Sequence, residues 1–387
     1  MQLAARVAAA IEILDMILDG SSAEQALTGW GRTHRFAGSK DRAAIRDHVF
    51  SALRCQASFA WRGGAMTGRG IMLGVTAADG TQDDIFTGFG HAPRPRGADE
   101  TGHNIGDATR DVRLDMPDWL LPHFDSSLGA QIDAVLTTLQ HRAGVFLRVN
   151  TAKCSREDAA AVLAQDGIIT QPLDHVKTAL QVTENERRVA LSTAYLDGMV
   201  ELQDPSSQAA METLAVSAGQ RVLDLCAGGG GKSLALAACG ADVFAHDIDA
   251  KRMIDLVPRA QRAGVAITTL TTEDLPSHAP FDVVLCDAPC SGSGTWRRTP
   301  SAKWALTPER LAELTQIQDG VLSTAADLVR VGGTLAYATC SVFQVENEAR
   351  IQAFMVEQAG FTLVSMHPTA PHHLGDGFFL SRLTRTT

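Results

Sequence analysis

The sequence has no uninterrupted apolar run of about eighteen residues or more, so no segment is expected to span a membrane. It has no CxxC pair and no cysteine–histidine spacing that would hold zinc. Its seven cysteines, at positions 55, 154, 226, 239, 286, 290 and 340, are odd in number. Neither a disulfide framework nor a metal site is supported, and a cytoplasmic location is expected. His372 and His373 are adjacent but lack acidic or thiol neighbours at ligand spacing, and they read as surface residues. A positive net charge is missing as well: 34 Lys and Arg face 44 Asp and Glu, a balance of −10. That excludes a protein that coats nucleic acid indiscriminately, because such binding rests on many Lys and Arg contacts to phosphate. It leaves room for a local basic surface, and eight Lys and Arg against two Asp fall between Arg32 and Arg69.

What is present describes a globular protein of two or three domains: 387 residues, 45% of them hydrophobic and 20% charged. The first twenty residues are apolar enough to suggest a signal peptide. Glu12, Asp15 and Asp19 interrupt them, however, and Leu3, Val7, Ile11, Leu14 and Leu18 share one helical face, so an amphipathic core helix is expected. Residues 1–75 read as a helical domain, in which "SKDRAAIRDHVFSALR" aligns Ile45, Val49, Phe50 and Leu53 and offers Ser39 as N-cap. Residues 76–112, rich in Gly, Asp, Thr, Pro and Arg, read as a linker. Over 113–203 a small α+β module is expected, with strands "VFLRVN" and "TALQVT" and a helix opened by a Ser155/Asp158 capping box. Over 204–387, "RVLDLCA", "DVFAHD", "AITTLTT", "FDVVLCD" and "GGTLAYATC" are short apolar runs separated by helix-length segments. Continuous rather than alternating hydrophobicity implies strands buried on both faces, as in the parallel sheet of a doubly wound, Rossmann-like α/β domain.

The stretch "DLCAGGGGKS", residues 224–233, invites a phosphate-loop reading and fails it. G-x-x-x-x-G-K-[ST] would need glycine at 226, where cysteine stands. The dinucleotide pattern G-x-G-x-x-G, started at Gly228 and Gly230, would need glycine at Ser233. An acidic residue ending a strand, followed by a small-residue loop entering a helix, instead fits an S-adenosyl-L-methionine (AdoMet) methyltransferase. Asp224 would end the strand, and Cys226, Ala227, Gly228, Gly229, Gly230 and Gly231 would let backbone approach the co-substrate where a Cβ would intrude. A carboxylate about 20 residues further on is then needed for ribose hydroxyls, and Asp247 stands 23 residues beyond Asp224. Asp274, after the third strand, offers an acceptor for an adenine amine.

"CDAPCSGSGTWRR" and "YATCS" end the next two strands and bring Asp287, Cys290 and Cys340 to the same crevice, since ligands of such sheets sit beyond the strands' carboxyl ends. A thiolate added to C6 of a pyrimidine makes C5 nucleophilic enough to take a methyl group. An ordinary thiol is only a few per cent ionised at neutral pH, so an activating environment is expected. A carboxyl group beside the ring would bind N3 and the exocyclic amine of cytosine. Trp296 and Trp304, interleaved with Arg297, Arg298 and Lys303, suit stacking and phosphate contact with single-stranded RNA.

"DLCAGGGGKS", "DAPCSGSGTWRR" and "ATCS" resemble motifs I, IV and VI of the RNA cytosine-C5 methyltransferases, the Sun/RsmB group. "LQDPSSQAA", "VENE" and "DGFF" (Asp376–Phe379) add to the likeness, which covers residues 140–387. The helical first part is similar to the NusB-like RNA-binding extension of the bacterial ribosomal-RNA branch. The resemblance implies that Cys340 is the nucleophile, Cys290 assists release of the methylated base, Asp287 holds the cytosine edge and Lys232 sits near base and co-substrate. It further implies that Cys226 to Lys232, with Asp247, Asp274 and Asp287, line the AdoMet pocket. RNA, 16S ribosomal RNA in particular, is the implied substrate, with another RNA such as tRNA as the alternative. One departure stands out: the family loop usually reads Cys-Ala-Ala-Pro-Gly-Gly-Lys, and Gly228-Gly229 replace the Ala-Pro pair. Methylation of an amine is disfavoured, because "DAPC" lacks the Pro-Pro-aromatic pattern of such enzymes. A non-catalytic ribosome-assembly factor is the remaining alternative, against which the intact thiol pair speaks. No metal and no membrane partner is expected, and nothing calls for an obligate dimer.

Overall fold

Helical periodicity in the first part of the sequence gives way to buried strand runs in the second, and the architecture follows that change. The computed structural model describes residues 1–387. The chain divides into two compact units, Met1–Arg142 with Trp296–Leu306, and Ala143–Thr295 with Thr307–Thr387. These units do not follow the four-part division expected from sequence: residues 113–142 group with the helical unit, and both sheets lie in the other. No helix is long and apolar enough to cross a membrane.

In the first unit, helices Leu3–Leu18, Ala23–Thr33, Ser39–Arg54, Gln56–Gly63 and Gly68–Ala78 enclose Val7, Ile13, Leu14, Trp30, Ile45, Val49, Leu53 and Ile71. Ser39 is not the N-cap of its helix. Gly38 holds that position without a side-chain bond, and the first-turn carboxylate, Asp41, pairs with Arg6 and the chain's amino terminus. The fourth and fifth helices cross at backbone distance: a Cβ on Gly74 would lie 1.9 Å from the Phe59 carbonyl oxygen, so only glycine fits.

Trp296–Leu306 is sunk into this unit, and the expected RNA contact by its tryptophans is corrected. Trp296 is 1% exposed and meets Phe124 edge-on at 5.9 Å. Trp304 Nε1 donates to the Leu53 carbonyl at 2.9 Å. The buried Lys303 ammonium donates to the carbonyls of Arg54 (2.8 Å) and Asp115 (2.6 Å), and burial brings its pKa down to about 8. Trp296, Lys303 and Trp304, which looked suited to RNA, are used for packing and for satisfying buried carbonyls.

The second unit holds two sheets. β1 (Val145–Val149), β2 (Ile169–Pro172), β3 (Ala179–Glu184) and β4 (Val200–Leu202) form an antiparallel sheet in the order β2-β3-β1-β4. The helix Arg156–Gln165 opens with the Ser155/Asp158 capping box. β5 (Arg221–Asp224), β6 (Asp242–Ala245), β7 (Ile267–Thr269), β8 (Phe281–Asp287), β9 (Val329–Thr339), β10 (Phe361–Thr369) and β11 (Phe378–Arg385) form the large sheet, in the order β10-β11-β9-β8-β5-β6-β7. Its five central and edge strands from β9 to β7 are parallel, as expected. The antiparallel β10–β11 hairpin is an addition that the apolar-run pattern did not reveal, since β10 alternates between half-buried and exposed residues. Leu223, Phe244, Val284, Leu335, Tyr337 and Phe379 fill the core against that sheet.

Trp296→Ala is expected to lower the stability of the first unit by about 3–5 kcal/mol, the cost of emptying a fully buried aromatic site. Urea unfolding followed by far-UV circular dichroism measures it, and a loss below about 1 kcal/mol would remove the packing role.

Candidate active site

Strand order reverses between β5 and β8, because β6 and β7 lie to one side of β5 and β9 lies beyond β8. A crevice opens at such a point, outside the carboxyl ends. The loops after β5, β6, β8 and β9 carry the residues singled out in the sequence.

Asp224 ends β5 with 1% exposure. Its Oδ2 accepts from Ser233 Oγ at 2.6 Å, its Oδ1 has no partner, and burial pushes its pKa up to about 6. The loop then turns through Gly228 at φ +51° and Gly230 at φ +78°, and a Cβ on Gly230 would come within 2.8 Å of Leu256. The Ala227 amide donates to the His246 carbonyl at 2.8 Å, and the Gly228 amide donates to Asp247 Oδ2 at 3.0 Å. Asp247 is buried, accepts from the Asp249 amide at 3.1 Å and pairs with the half-exposed Arg252 at 3.1 Å. The glycine loop and Asp247 therefore form one wall. Cys226 lies in this wall, where burial, reinforced by Asp224, Asp287 and Asp247, pushes its thiol pKa up and keeps it protonated.

Asp274 makes no hydrogen bond to that wall. It is exposed, and its Oδ2 accepts from the amide (3.1 Å) and hydroxyl (2.9 Å) of Thr271, closing a local turn. From the same loop, Thr272 Oγ1 meets His246 Nε2 at 3.0 Å. A carboxylate three residues from a threonine is as well placed for its own backbone as for a ligand, and here Oδ2 makes the local bond.

Lys232 opens the helix Gly231–Ala238, and its Nζ donates to Asp287 Oδ2 at 2.5 Å and lies 5.3 Å from the Phe378 ring centre. Burial opposes its charge, but the Asp287 carboxylate outweighs burial and holds its pKa above the ordinary value. Cys290 Sγ and Cys340 Sγ are 3.5 Å apart, and Thr295 Oγ1 lies 4.0 Å from Cys340 Sγ. Cys340 is held below the usual thiol value, first by the hydrogen bond from Cys290, with Lys232 and Thr295 assisting while burial and Asp287 oppose. Cys290 is pushed well up by the same bond, by burial and by the negative groups around it. The remaining five thiols are also raised, chiefly by burial, which leaves Cys340 as the one cysteine biased toward thiolate.

Both cysteine loops are fixed by a residue that sequence reasoning named only within a motif. Glu346, fully buried, accepts from the Ser291 amide at 2.8 Å, from the hydroxyls of Ser291 and Ser341 at 2.5 Å each, and from Gln318 Nε2 at 3.1 Å. Asn347 accepts from Thr339 Oγ1 at 2.6 Å and donates to the Ser341 carbonyl at 2.9 Å. The available signal was the hydroxyl residues beside each cysteine, Cys290-Ser291 and Cys340-Ser341, which need a buried acceptor. From this arrangement, iodoacetamide at pH 7 is expected to alkylate Cys340 first, with a rate that rises through a midpoint below that of a free thiol. Lys232→Ala should move that midpoint up, because the ammonium favours the thiolate; peptide mass spectrometry across pH reads both, and equal labelling of Cys290 and Cys340 would refute the bias.

The chain is similar to known proteins over most of its length. The family model described as 16S rRNA methyltransferase RsmB/F matches residues 211–384, and the RsmF/B-like ferredoxin-like domain matches residues 116–189. Ribosomal RNA small subunit methyltransferase B of Proteus mirabilis is 33% identical over 283 residues, covering 71% of this chain and 67% of the relative. Its Escherichia coli counterpart is 34% identical over 290 residues, with coverage of 71% and 67%. The crystal structure of PH0851 superposes with a TM-score of 0.78 at 23% identity, covering 100% of this chain and 99% of that one. NSun6 from Pyrococcus horikoshii with SFG gives a TM-score of 0.63 at 18% identity, covering 70% and 98%. The structural likenesses establish the fold, and the sequence likenesses, together with the glycine loop and the two strand-end thiols, establish that the chain belongs to the RsmB/F family of 16S rRNA methyltransferases.

Proposed function

We propose that the protein transfers a methyl group from AdoMet to C5 of a cytosine in RNA, with 16S ribosomal RNA as substrate, through a covalent bond between Cys340 and C6. The observation that carries this reading is the pair of sulfurs 3.5 Å apart beside the Lys232–Asp287 ion pair, at the mouth of the large sheet.

The residues present fit the co-substrate: a side-chain-free loop at 228–231, a buried Asp247 next to it, and an unpartnered Asp224 oxygen behind it. When bound, AdoMet supplies an electrophilic methyl group on a sulfonium. The Cys340 thiolate adds to C6, and electron density moves to C5, which takes the methyl. Asp287, kept in place by Lys232, accepts from the exocyclic amine and fixes the ring edge. Once Cys340 is bonded to carbon its negative charge is gone, and the influence that held Cys290 protonated is lifted. Cys290 then gives up its proton to solvent, and the resulting thiolate is the base that takes the C5 proton as the C6–S bond breaks and Cys340 leaves as thiolate.

The helical unit is proposed to contribute RNA affinity. A cavity of about 610 Å³ in it is lined by Arg32, Arg35, Arg42 and Arg46 around Thr28 and Trp30. Arg46 is paired with Glu24, while Arg32 and Arg35 carry no ion pair and face solvent. Cations of this kind hold phosphate without reading sequence.

Cys340→Ala is expected to abolish both 5-methylcytosine formation and any covalent RNA adduct. Cys290→Ala should instead accumulate an adduct stable to denaturing gel electrophoresis. Nucleoside analysis of the RNA and gel shift measure the two, and C5 methylation by the Cys340→Ala protein would exclude the proposed nucleophile.

A further inference from the structure

Four consecutive glycines are a poor way to build a fixed wall. Each loses more backbone freedom on ordering than any other residue, and none has a side chain with which to anchor itself. Gly228-Gly229 stand where the family resemblance leads one to expect Ala-Pro, whose ring would restrict the chain. The restraint comes from outside the loop. Arg259, on the helix Leu256–Ala263, donates through Nη1 to the Gly229 carbonyl, and its Nη2 is held 3.1 Å from Glu201 Oε2 on β4. Glu201 is 3% exposed and also pairs with Arg262. Two residues later, the buried Arg148 of β1 donates to the Gly231 carbonyl at 2.6 Å and to Gln203 Oε1 at 2.5 Å.

Geometry links the arginine to the missing side chain. A Cβ placed on Gly229 would lie 3.1 Å from Arg259 Nη1, closer than ordinary contact, so the guanidinium lies against the space that a residue with a ring would take. A planar guanidinium fastened at its far side by a buried carboxylate is a fixed donor, unlike a freely rotating lysine. We propose that Arg259, braced by Glu201, is a positioning residue for the co-substrate loop, supplying through a side chain the order that the loop's own sequence lacks. Its contacts are with the Gly229 carbonyl and Glu201. This inference rests on the reading of the loop as the AdoMet site, and the test separates the two.

With the full-length protein, Arg259→Ala is expected to raise the AdoMet Kd by calorimetry, and its KM, about tenfold, the scale of one lost charge-assisted hydrogen bond. kcat at saturating AdoMet and KM for a 16S ribosomal RNA transcript should stay within about twofold. Arg262→Ala removes the other partner of Glu201 without touching the loop and should leave the AdoMet Kd within about twofold. An unchanged Kd in Arg259→Ala, or an equal loss in Arg262→Ala, overturns the proposal. Hydrogen exchange of the amides at 227–232 gives a reading that needs no co-substrate: it should speed up about tenfold in Arg259→Ala alone. Unchanged exchange overturns the clamp by itself, whereas a parent protein that fails to bind AdoMet counts only against the functional reading.

Discussion

A single buried carboxylate, Glu346, holds the two cysteine loops together. Two loops separated by fifty residues of sequence, each ending a different strand, must place their sulfurs within hydrogen-bonding distance. β8 and β9 fix where the loops begin, but a strand end leaves the next residues free to point outward. Glu346 removes that freedom by accepting from serines on both loops at once. A carboxyl acceptor of this kind is costly to bury unless fully used, and here amide, hydroxyl and side-chain amide donors surround it.

Given that scaffold, the electrostatic division of labour follows from small asymmetries. The two thiols share one hydrogen bond, so whichever carries the charge suppresses ionisation of the other. Lys232 and Thr295 stand on the Cys340 side, and Glu346 stands on the Cys290 side. Each bias is modest, but together they point one way. Asp287 works against the thiolate and is tolerated because Lys232 neutralises it while orienting it.

Much of this was legible in the sequence because strand-end chemistry is written locally. A buried apolar run followed by an acid and glycines, or by cysteine and serine, gives both the element and its carboxyl-end residue, and Asp224, Asp247, Asp287, Cys290 and Cys340 came from that pattern. Asp274 is less legible, since a carboxylate near a threonine can also bond within its own turn, and nothing in a linear pattern says that it does. Trp296, Lys303 and Trp304 misled for a related reason. Aromatic and basic residues look alike whether they face RNA or fill a core, and only packing distinguishes them. Glu346, Arg259 and Arg148 act across 55, 30 and 83 residues of chain, so no local window displays their partners.

The path of residues 296–306 limits how this protein can be divided. The chain leaves the loop of Cys290 at Thr295 and is at once an internal element of the helical unit, with a fully buried indole that has no place in water-facing surface. A fragment cut to begin after Arg142 would carry this strap stripped of its surroundings, offering the apolar face of Trp296 for aggregation. The amino-terminal helices are thus no detachable accessory: a gene shortened to its catalytic portion would need compensating polar changes along the strap before its product stayed in solution.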